Sequence, residues 1–368
     1  MENEKYLTEQ IITYLGNKRK LLSSIEEEIV KIQSELGKSK LICVDLFSGS
    51  GVVARMMKQY SDTLYANDLE NYSKIINQCY LRNSDEIDWE LYDTLLDRLE
   101  VRLKAELSPG VITNNYAPKD DDEIQEGERV FYTHNNALII DTIRDFIDKE
   151  VPVDMQPLFL SPLLYEASVH ANTSGVFKGF YKSKTRNVGK FGGEGGNALE
   201  RIMGKISIKK PPMSYFNCKS HVYQKDANEV VKILPYCDVV YIDPPYNQHP
   251  YGSNYFMLNT IIENKVGENI SDVAGIPKEW NKSDYNKKNV ALDVMTDLID
   301  NINSSYVIVS YSSDGFITYD DMLGLLSKRG DVTTKQIEYP TFRAGRNLQN
   351  REKHVNEYVF TLKIKNPA

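Results

Sequence analysis

The stretch Asp238-Val239-Val240-Tyr241-Ile242-Asp243-Pro244-Pro245-Tyr246-Asn247 decides the fold class of this chain. Its apolar and β-branched residues are typical of a buried strand. Because proline cannot donate a hydrogen bond to a sheet ladder, we expect this strand to end at Asp243. An acid, a rigid turn and an aromatic ring then lie at the carboxyl edge of a sheet, where open α/β folds bind their ligands.

A strand, a glycine turn and a helix are predicted between Leu41 and about Tyr60. The glycines of the turn let the backbone approach a ligand closely, and the amides that open the helix favour an electron-rich group. The next strand ends at Asp68, an acid that is suited to bind the two ribose hydroxyls of an adenosine. Since the turn lacks the full glycine fingerprint and a phosphate-binding lysine, it argues against a triphosphate ligand.

Acids end several of the predicted strands. They are Asp45, Asp68, Asp226 and Asp243. A nucleoside-like cofactor can lie across such an edge, with Asp68 on its ribose and Asp226 on an exocyclic amine. Asp243 would then face the second reactant.

The N-terminal segment Tyr14-Leu15-Gly16-Asn17-Lys18 precedes an amphipathic helix that we expect to end near Gly37. Basic residues in the first turn of a helix oppose the helix dipole. We therefore expect Lys18 to have an anionic or electron-rich partner elsewhere in the fold.

Residues 178–193 carry five positive charges and no acid, interleaved with glycine and aromatic residues. The charges belong to Lys178, Lys182, Lys184, Arg186 and Lys190. This composition predicts a loop that contacts phosphates and stacks on bases. A second basic stretch contains Arg343 and Arg346, and it is as consistent with an exposed turn as with contact to a DNA backbone.

Composition limits the class of protein. The 368 residues have a formal charge of −8, and no window is long and apolar enough to cross a bilayer. A polar N-terminus without an apolar core gives no signal peptide, so we expect a cytoplasmic protein that makes no membrane contact. The four cysteines have no metal-type spacing, which predicts reduced core thiols and no metal site.

The motifs suit methylation of an aromatic amine such as that of adenine. The Asp243 carboxylate and the Pro244 carbonyl can accept its two hydrogens, which turns the nitrogen lone pair out of the ring. Tyr246 can stack on the base, and an in-line displacement on a sulfonium methyl group then needs no covalent enzyme intermediate. A base inside a duplex must be flipped out to reach this edge.

This ordered set of motifs resembles the S-adenosylmethionine-dependent DNA adenine methyltransferases, in particular their α class. The resemblance implies a Rossmann-like α/β sheet of seven strands with a C-terminal antiparallel hairpin. It also implies catalytic-domain segments at 1–83 and 213–368, with an inserted target-recognition region at 84–212. The cofactor S-adenosylmethionine would contact Tyr14, Gly16, Lys18, Asp45, Phe47, Gly49, Gly51, Asp68 and Asp226. The target base would contact Asp243, Pro244, Pro245 and Tyr246.

The same resemblance implies double-stranded DNA as the substrate. It also implies a restriction-modification role beside a restriction endonuclease that acts on the same site without direct contact. Two alternatives stay open at this point: methylation of cytosine N4 or of a base amine in RNA, and a non-catalytic DNA-binding protein on the same scaffold. The intact Asp243-Pro244-Pro245-Tyr246 motif argues against the second alternative, and methylation of cytosine carbon-5 is disfavoured because no cysteine is placed as its nucleophile.

Overall fold

The computed structural model describes residues 2–14, 16, 18–340 and 354–365. These residues contain a seven-stranded sheet in the order β3-β2-β1-β4-β5-β7-β6. The strands are β1 (Leu41–Asp45), β2 (Ser61–Asp68), β3 (Lys219–Gln224), β4 (Cys237–Ile242), β5 (Ser304–Ser312), β6 (Gly330–Pro340) and β7 (His354–Ile364). Neighbours among β1 to β5 pair in parallel, and β7 pairs antiparallel with both β5 and β6. The predicted fold class, including its C-terminal hairpin, is confirmed.

The strand order reverses between β1 and β4, so these two strands form the switch point of the sheet. Open parallel sheets bind ligands in the crevice at the carboxyl ends of such a pair. Asp45 is the last residue of β1, and Asp243 directly follows β4. The two acids predicted from the sequence therefore lie at the position where the fold favours a ligand.

The strand ends differ slightly from the predictions. β4 ends at Ile242 rather than Asp243, and β3 ends two residues before Asp226. Asp226 instead caps the helix that follows, because its carboxylate accepts a hydrogen bond from the amide of Asn228 at 2.8 Å. Both acids stay at the expected edge of the sheet.

Helices cover both faces of the sheet, which explains why every residue of β4 is buried. The helices are α1 (Glu4–Thr8), α2 (Leu22–Leu36), α3 (Val52–Lys58), α4 (Asn71–Tyr80), α5 (Trp89–Ala105), α6 (Val111–Tyr116), α7 (His134–Glu150), α8 (Gln156–Val169), α9 (Leu199–Met203), α10 (Ala227–Val230), α11 (Tyr251–Asn254), α12 (Phe256–Glu263), α13 (Ala291–Asn301) and α14 (Tyr319–Ser327). Short 3-10 helices lie at Lys18–Leu21, Ser84–Glu86 and Asp284–Asn286. As predicted, α2 ends at Gly37, which caps it with a φ of 63°.

The named secondary-structure elements between residues 84 and 212, the range of the predicted inserted region, are helices. Helices α5, α7 and α8 pack with α4 and α12 around one apolar core, which includes Phe131, Phe159 and Phe256. The segment boundaries at residues 83/84 and 212/213 stay a prediction.

The four cysteines are buried and unpaired, which confirms the predicted core thiols. Within the described ranges, no helix combines the length and the apolar character needed to span a bilayer.

Candidate active site

A pocket that is partly open to solvent lies at the switch point of the sheet. It brings together residues from the N-terminal motif, the glycine turn and the acids that follow the strands. The predicted site residues that line it are Tyr14, Gly16, Lys18, Asp45, Phe47, Gly49, Asp68, Asp226, Asp243 and Pro245. Asp243 and Asp68, which come from different motifs, thus border one cavity.

Three of the residues predicted to contact the cofactor or the target base do not line this pocket. Pro244 is buried, and the half-buried ring of Tyr246 contacts Tyr311 edge-on with a centroid distance of 6.3 Å. Gly51 caps α3 with a φ of 73°, and a Cβ atom there would lie 2.7 Å from the side chain of Asn77. Gly51 therefore permits the turn and its packing without touching the cavity.

The ring of Tyr14 packs over the glycine turn. It stacks against both Tyr251 and Tyr255, with centroid distances of 5.0 and 4.9 Å. A Cβ atom on Gly49 would approach the Tyr14 ring to 2.9 Å, so a side chain at this position would displace the ring. The Gly49 amide donates a hydrogen bond to Asp68 at 2.8 Å, which joins the turn to the end of β2.

The carboxylate of Asp68 is held by backbone amides. Its two oxygens accept from Gly49 and from Glu70, the latter at 2.9 Å. Burial raises the pKa of Asp68, and these amides lower it in part. Glu70 is itself buried in the pocket wall and accepts hydrogen bonds from Asn259 and Asn281. Burial and the nearby Asp68 raise the pKa of Glu70 to about 7.

Lys18 forms ion pairs with two carboxylates. Its Nζ atom lies 3.1 Å from Asp243 Oδ1 and 3.5 Å from Glu357 Oε2. Burial alone would lower the pKa of Lys18, but Asp243 and Glu357 raise it above the usual lysine value. The prediction that Lys18 has an anionic partner is confirmed. Burial raises the pKa of Asp243 to about 6 even though Lys18 lowers it.

Asp45 lies in the pocket wall and is almost fully buried. Among the described residues, neither of its carboxylate oxygens has a hydrogen-bond partner of normal geometry. Burial raises its pKa well above the usual value, Asp243 and Asp68 raise it further, and the nearby amides of Ala54 and Phe47 lower it. Such a carboxylate is suited to receive a cation or a hydrogen-bond donor from a ligand.

The segment 281–286 forms a wall of the pocket that no sequence motif indicated. Asn281, Ser283, Tyr285 and Asn286 all line the cavity. The ring of Tyr285 meets Phe47 edge-on at a centroid distance of 5.2 Å. The Asn286 side chain donates to the carbonyl of Asn247 at 2.7 Å, directly after the Asp243-Pro244-Pro245-Tyr246 motif. The composition of this segment is that of an ordinary surface loop, so only its placement reveals it.

The basic stretch 178–193 is an ordered loop with exposed charges. Lys182 and Gly189 form an antiparallel bridge, while Lys184 and Arg186 at its turn are exposed. Glu194 accepts hydrogen bonds from the Lys184 amide and from the Lys190 ammonium. The predicted contacts at Arg343 and Arg346 lie outside the described residues.

The model of the D12 class N6 adenine-specific DNA methyltransferases matches residues 14–313, which span every motif of the pocket. The chain belongs to this family. The similarity extends to named relatives along nearly their whole length. The type II methyltransferase M.NlaIII of Neisseria lactamica is 29% identical over 95% of this chain and 99% of its own. M.CviAII of Paramecium bursaria Chlorella virus 1 is 30% identical over 96% and 98%.

The type II methyltransferase M.FokI of Planomicrobium okeanokoites is 26% identical to this D12 methyltransferase. The match covers 95% of this chain but only 52% of M.FokI, which is longer. Membership in the family confirms the predicted enzyme class, site-specific methylation of adenine in DNA. It decides against the cytosine, RNA and non-catalytic alternatives. The D12 methyltransferase thus acts on DNA with a methyl donor of the S-adenosylmethionine type.

Proposed function

We propose that the switch-point pocket binds S-adenosylmethionine and that Asp243, Pro244, Pro245 and Tyr246 hold the target adenine of double-stranded DNA. The observation that carries this proposal is that Asp68 and Asp243 border the same cavity. An acid suited to a ribose and an acid suited to an aromatic amine therefore border one cavity.

The residues of the pocket fit the proposed donor. The Asp45 carboxylate, which has no hydrogen bond of normal geometry within the described residues, can receive the donor's ammonium group. Asp68 would bind the ribose, Asp226 the exocyclic amine of the donor's adenine, and Phe47 with Tyr285 would contact its ring. When bound, S-adenosylmethionine supplies an electrophilic methyl group on a positively charged sulfur.

Asp243 and Pro244 would position the target amine. The Asp243 carboxylate accepts one amine hydrogen and the Pro244 carbonyl accepts the other, so the nitrogen lone pair leaves conjugation with the ring. Lys18 supports this role because its ammonium stabilises the ionised form of Asp243 in a buried site. The proton released after methyl transfer can pass to Asp243. Tyr246 would stack on the flipped base.

The exposed basic loop would hold the DNA from which the base is extruded. Lys178, Lys182, Lys184, Arg186 and Lys190 offer contacts to phosphates at low structural cost, since most of these side chains are exposed. Arg343 and Arg346 stay candidates for the same role on sequence grounds alone.

We also propose that the enzyme acts in a restriction-modification system in the cytoplasm. Its relatives M.NlaIII, M.CviAII and M.FokI are named type II methyltransferases. The endonuclease partner would recognise the same DNA site and would need no contact with this protein.

Incubation of the purified protein with S-adenosylmethionine and DNA tests the proposal. Digestion of the product to nucleosides should yield N6-methyl-2′-deoxyadenosine from duplex DNA and no methylated nucleoside from RNA. Sequencing of modified bases in DNA from expressing cells then gives the recognition site. Methylated cytosine, or no product with this donor, would contradict the proposal.

A further inference from the structure

We propose that Glu357 is a positioning residue for methyl transfer: it shares the Lys18 ammonium with Asp243, so that Asp243 keeps the acceptor strength needed to bind the target amine. This inference rests on the role proposed above for Asp243. Glu357 belongs to no recognised motif, and its position follows from the fold alone.

Glu357 lies behind Lys18 as seen from the pocket. Lys18 and Asp243 line the cavity, whereas Glu357 does not. Glu357 lies on β7, where it pairs with Ser312 of β5, and its side chain is 7% exposed. Lys18 Nζ donates a hydrogen bond to Glu357 at 3.5 Å and lies 3.1 Å from Asp243. One buried cation therefore serves the partly buried Asp243, which follows β4, and the buried Glu357 of β7.

The sharing has a chemical consequence for Asp243. A lysine with a single buried carboxylate partner concentrates its charge-assisted hydrogen bonds on that group. A carboxylate held in this way accepts more weakly from a neutral amine, because its charge is already compensated. Glu357 takes part of the donor capacity of Lys18 and leaves Asp243 more basic.

The electrostatics of the site act in the same direction. The titratable groups that face Asp243 are Lys18, Glu357, Asp45, Tyr241, Tyr246 and Tyr251. Burial raises the pKa of Asp243, Lys18 lowers it, and Glu357 raises it again. Removal of the Glu357 charge should therefore lower the pKa of Asp243. The same change should make the Asp243 carboxylate a weaker hydrogen-bond acceptor.

The test compares Glu357→Gln with the wild-type enzyme on a duplex that carries the sequenced site. The acid limb of kcat/KM should move to lower pH, and kcat at pH 8 should fall about fivefold or more, while the KM for the donor stays within about twofold. Glu357→Asp retains the charge and should restore part of both effects. If Glu357 only stabilised the folded enzyme, its replacement would change neither the acid limb nor the ratio of kcat to KM.

Glu28→Gln is the matched control. Glu28 is also a buried glutamate that contacts the C-terminal hairpin, where it pairs with Lys335 at 2.8 Å and accepts from Thr361 at 3.0 Å. It does not line the pocket. Its replacement should lower the thermal midpoint and leave the acid limb in place.

The outcomes separate the two proposals. If Glu357→Gln keeps the wild-type acid limb and kcat, or behaves as Glu28→Gln does, the positioning role is wrong while the role of Asp243 stands. If the wild-type enzyme has no acid limb, the assignment of Asp243 is wrong and the role of Glu357 is overturned with it. If Glu357→Gln does not fold, Glu357→Asp is the deciding variant. Its charge is retained but displaced, so the positioning role predicts a lower kcat and an unchanged KM for the donor.

Discussion

The buried Lys18 and the partly buried Asp243 form an ion pair of 3.1 Å that connects the N-terminal motif of this methyltransferase to its Asp-Pro-Pro-Tyr motif. The pair lies in the wall of the pocket that also contains the predicted ribose-binding acid Asp68. A residue that we expect on the cofactor side is therefore ion-paired with the residue that we propose to hold the target amine.

Activity should fall at mildly acidic pH. Burial raises the pKa of Asp243 to about 6, so this carboxylate loses its charge as the pH falls through 6, well before an ordinary aspartate would. The protonated form cannot serve as a full acceptor for the target amine. A profile of kcat/KM for duplex DNA between pH 5 and 9 should show an acid limb near 6. A profile that is flat down to the usual pKa of an aspartate would contradict this assignment.

Replacement of Lys18 by methionine should affect both stability and pH dependence. The buried Glu357 and the partly buried Asp243 would then lack their cation, and the loss of one partner from a buried ion pair typically costs about 3–5 kcal/mol. Denaturant unfolding should report the loss, and the acid limb should move to higher pH. Lys38→Met is a control, because Lys38 pairs with the buried Asp238 at 2.6 Å away from the pocket. If both variants had the same acid limb, the coupling of Lys18 to Asp243 would be refuted.

Gly49→Ala should weaken donor binding. Gly49 has a φ of 50°, and an added Cβ atom would lie 2.9 Å from the Tyr14 ring over the pocket. Gly37→Ala matches the backbone strain with a φ of 63° but has nothing within 4 Å of the added atom. Each variant should lose about 1 kcal/mol of stability from the strained backbone. Calorimetry with S-adenosylhomocysteine should show at least a tenfold loss, about 1.4 kcal/mol, for Gly49→Ala alone. Equal affinities in the two variants would rule out the turn as a donor contact.

The basic loop should supply salt-dependent affinity for DNA. Replacement of Lys182, Lys184 and Arg186 by glutamine should weaken duplex binding and reduce the salt slope by about 0.9 for each phosphate that the loop no longer neutralises. A control removes the same number of exposed charges from Lys104, Lys149 and Lys232, which lie outside the loop. Binding isotherms at several salt concentrations distinguish the two sets. An unchanged slope in the loop variant would show that the loop does not contact DNA.

The sheet edge is predictable from the sequence because the patterns that indicate it are local. Runs of β-branched residues that stop at Asp45, Asp68 and Asp243 indicate strands and place the acids at one edge. The helices between residues 84 and 212 were harder to predict, since α8 is apolar on all sides and has no amphipathic period. Their segment boundaries remain untested.

The rest of the site depends on long-range contacts. The sequence predicted that Lys18 has an anionic partner, but the identity of Asp243 and Glu357 as those partners depends on how β4 and β7 flank β5 in the sheet. Likewise, Tyr285 and Asn286 lie in a loop of ordinary polar composition that becomes a pocket wall only through the fold. Such residues carry no local signal that a single sequence can reveal.

The most direct test of the central claim is Asp243→Ala, measured for both donor binding and methyl transfer. Turnover on duplex DNA should fall by about a thousandfold or more, since a group that positions the reacting amine is lost. Affinity for S-adenosylhomocysteine should stay within about twofold of wild type, because Asp45, Asp68 and Asp226 remain in the pocket. A variant that retains near-normal turnover, or one that loses donor affinity in parallel with turnover, would contradict the account.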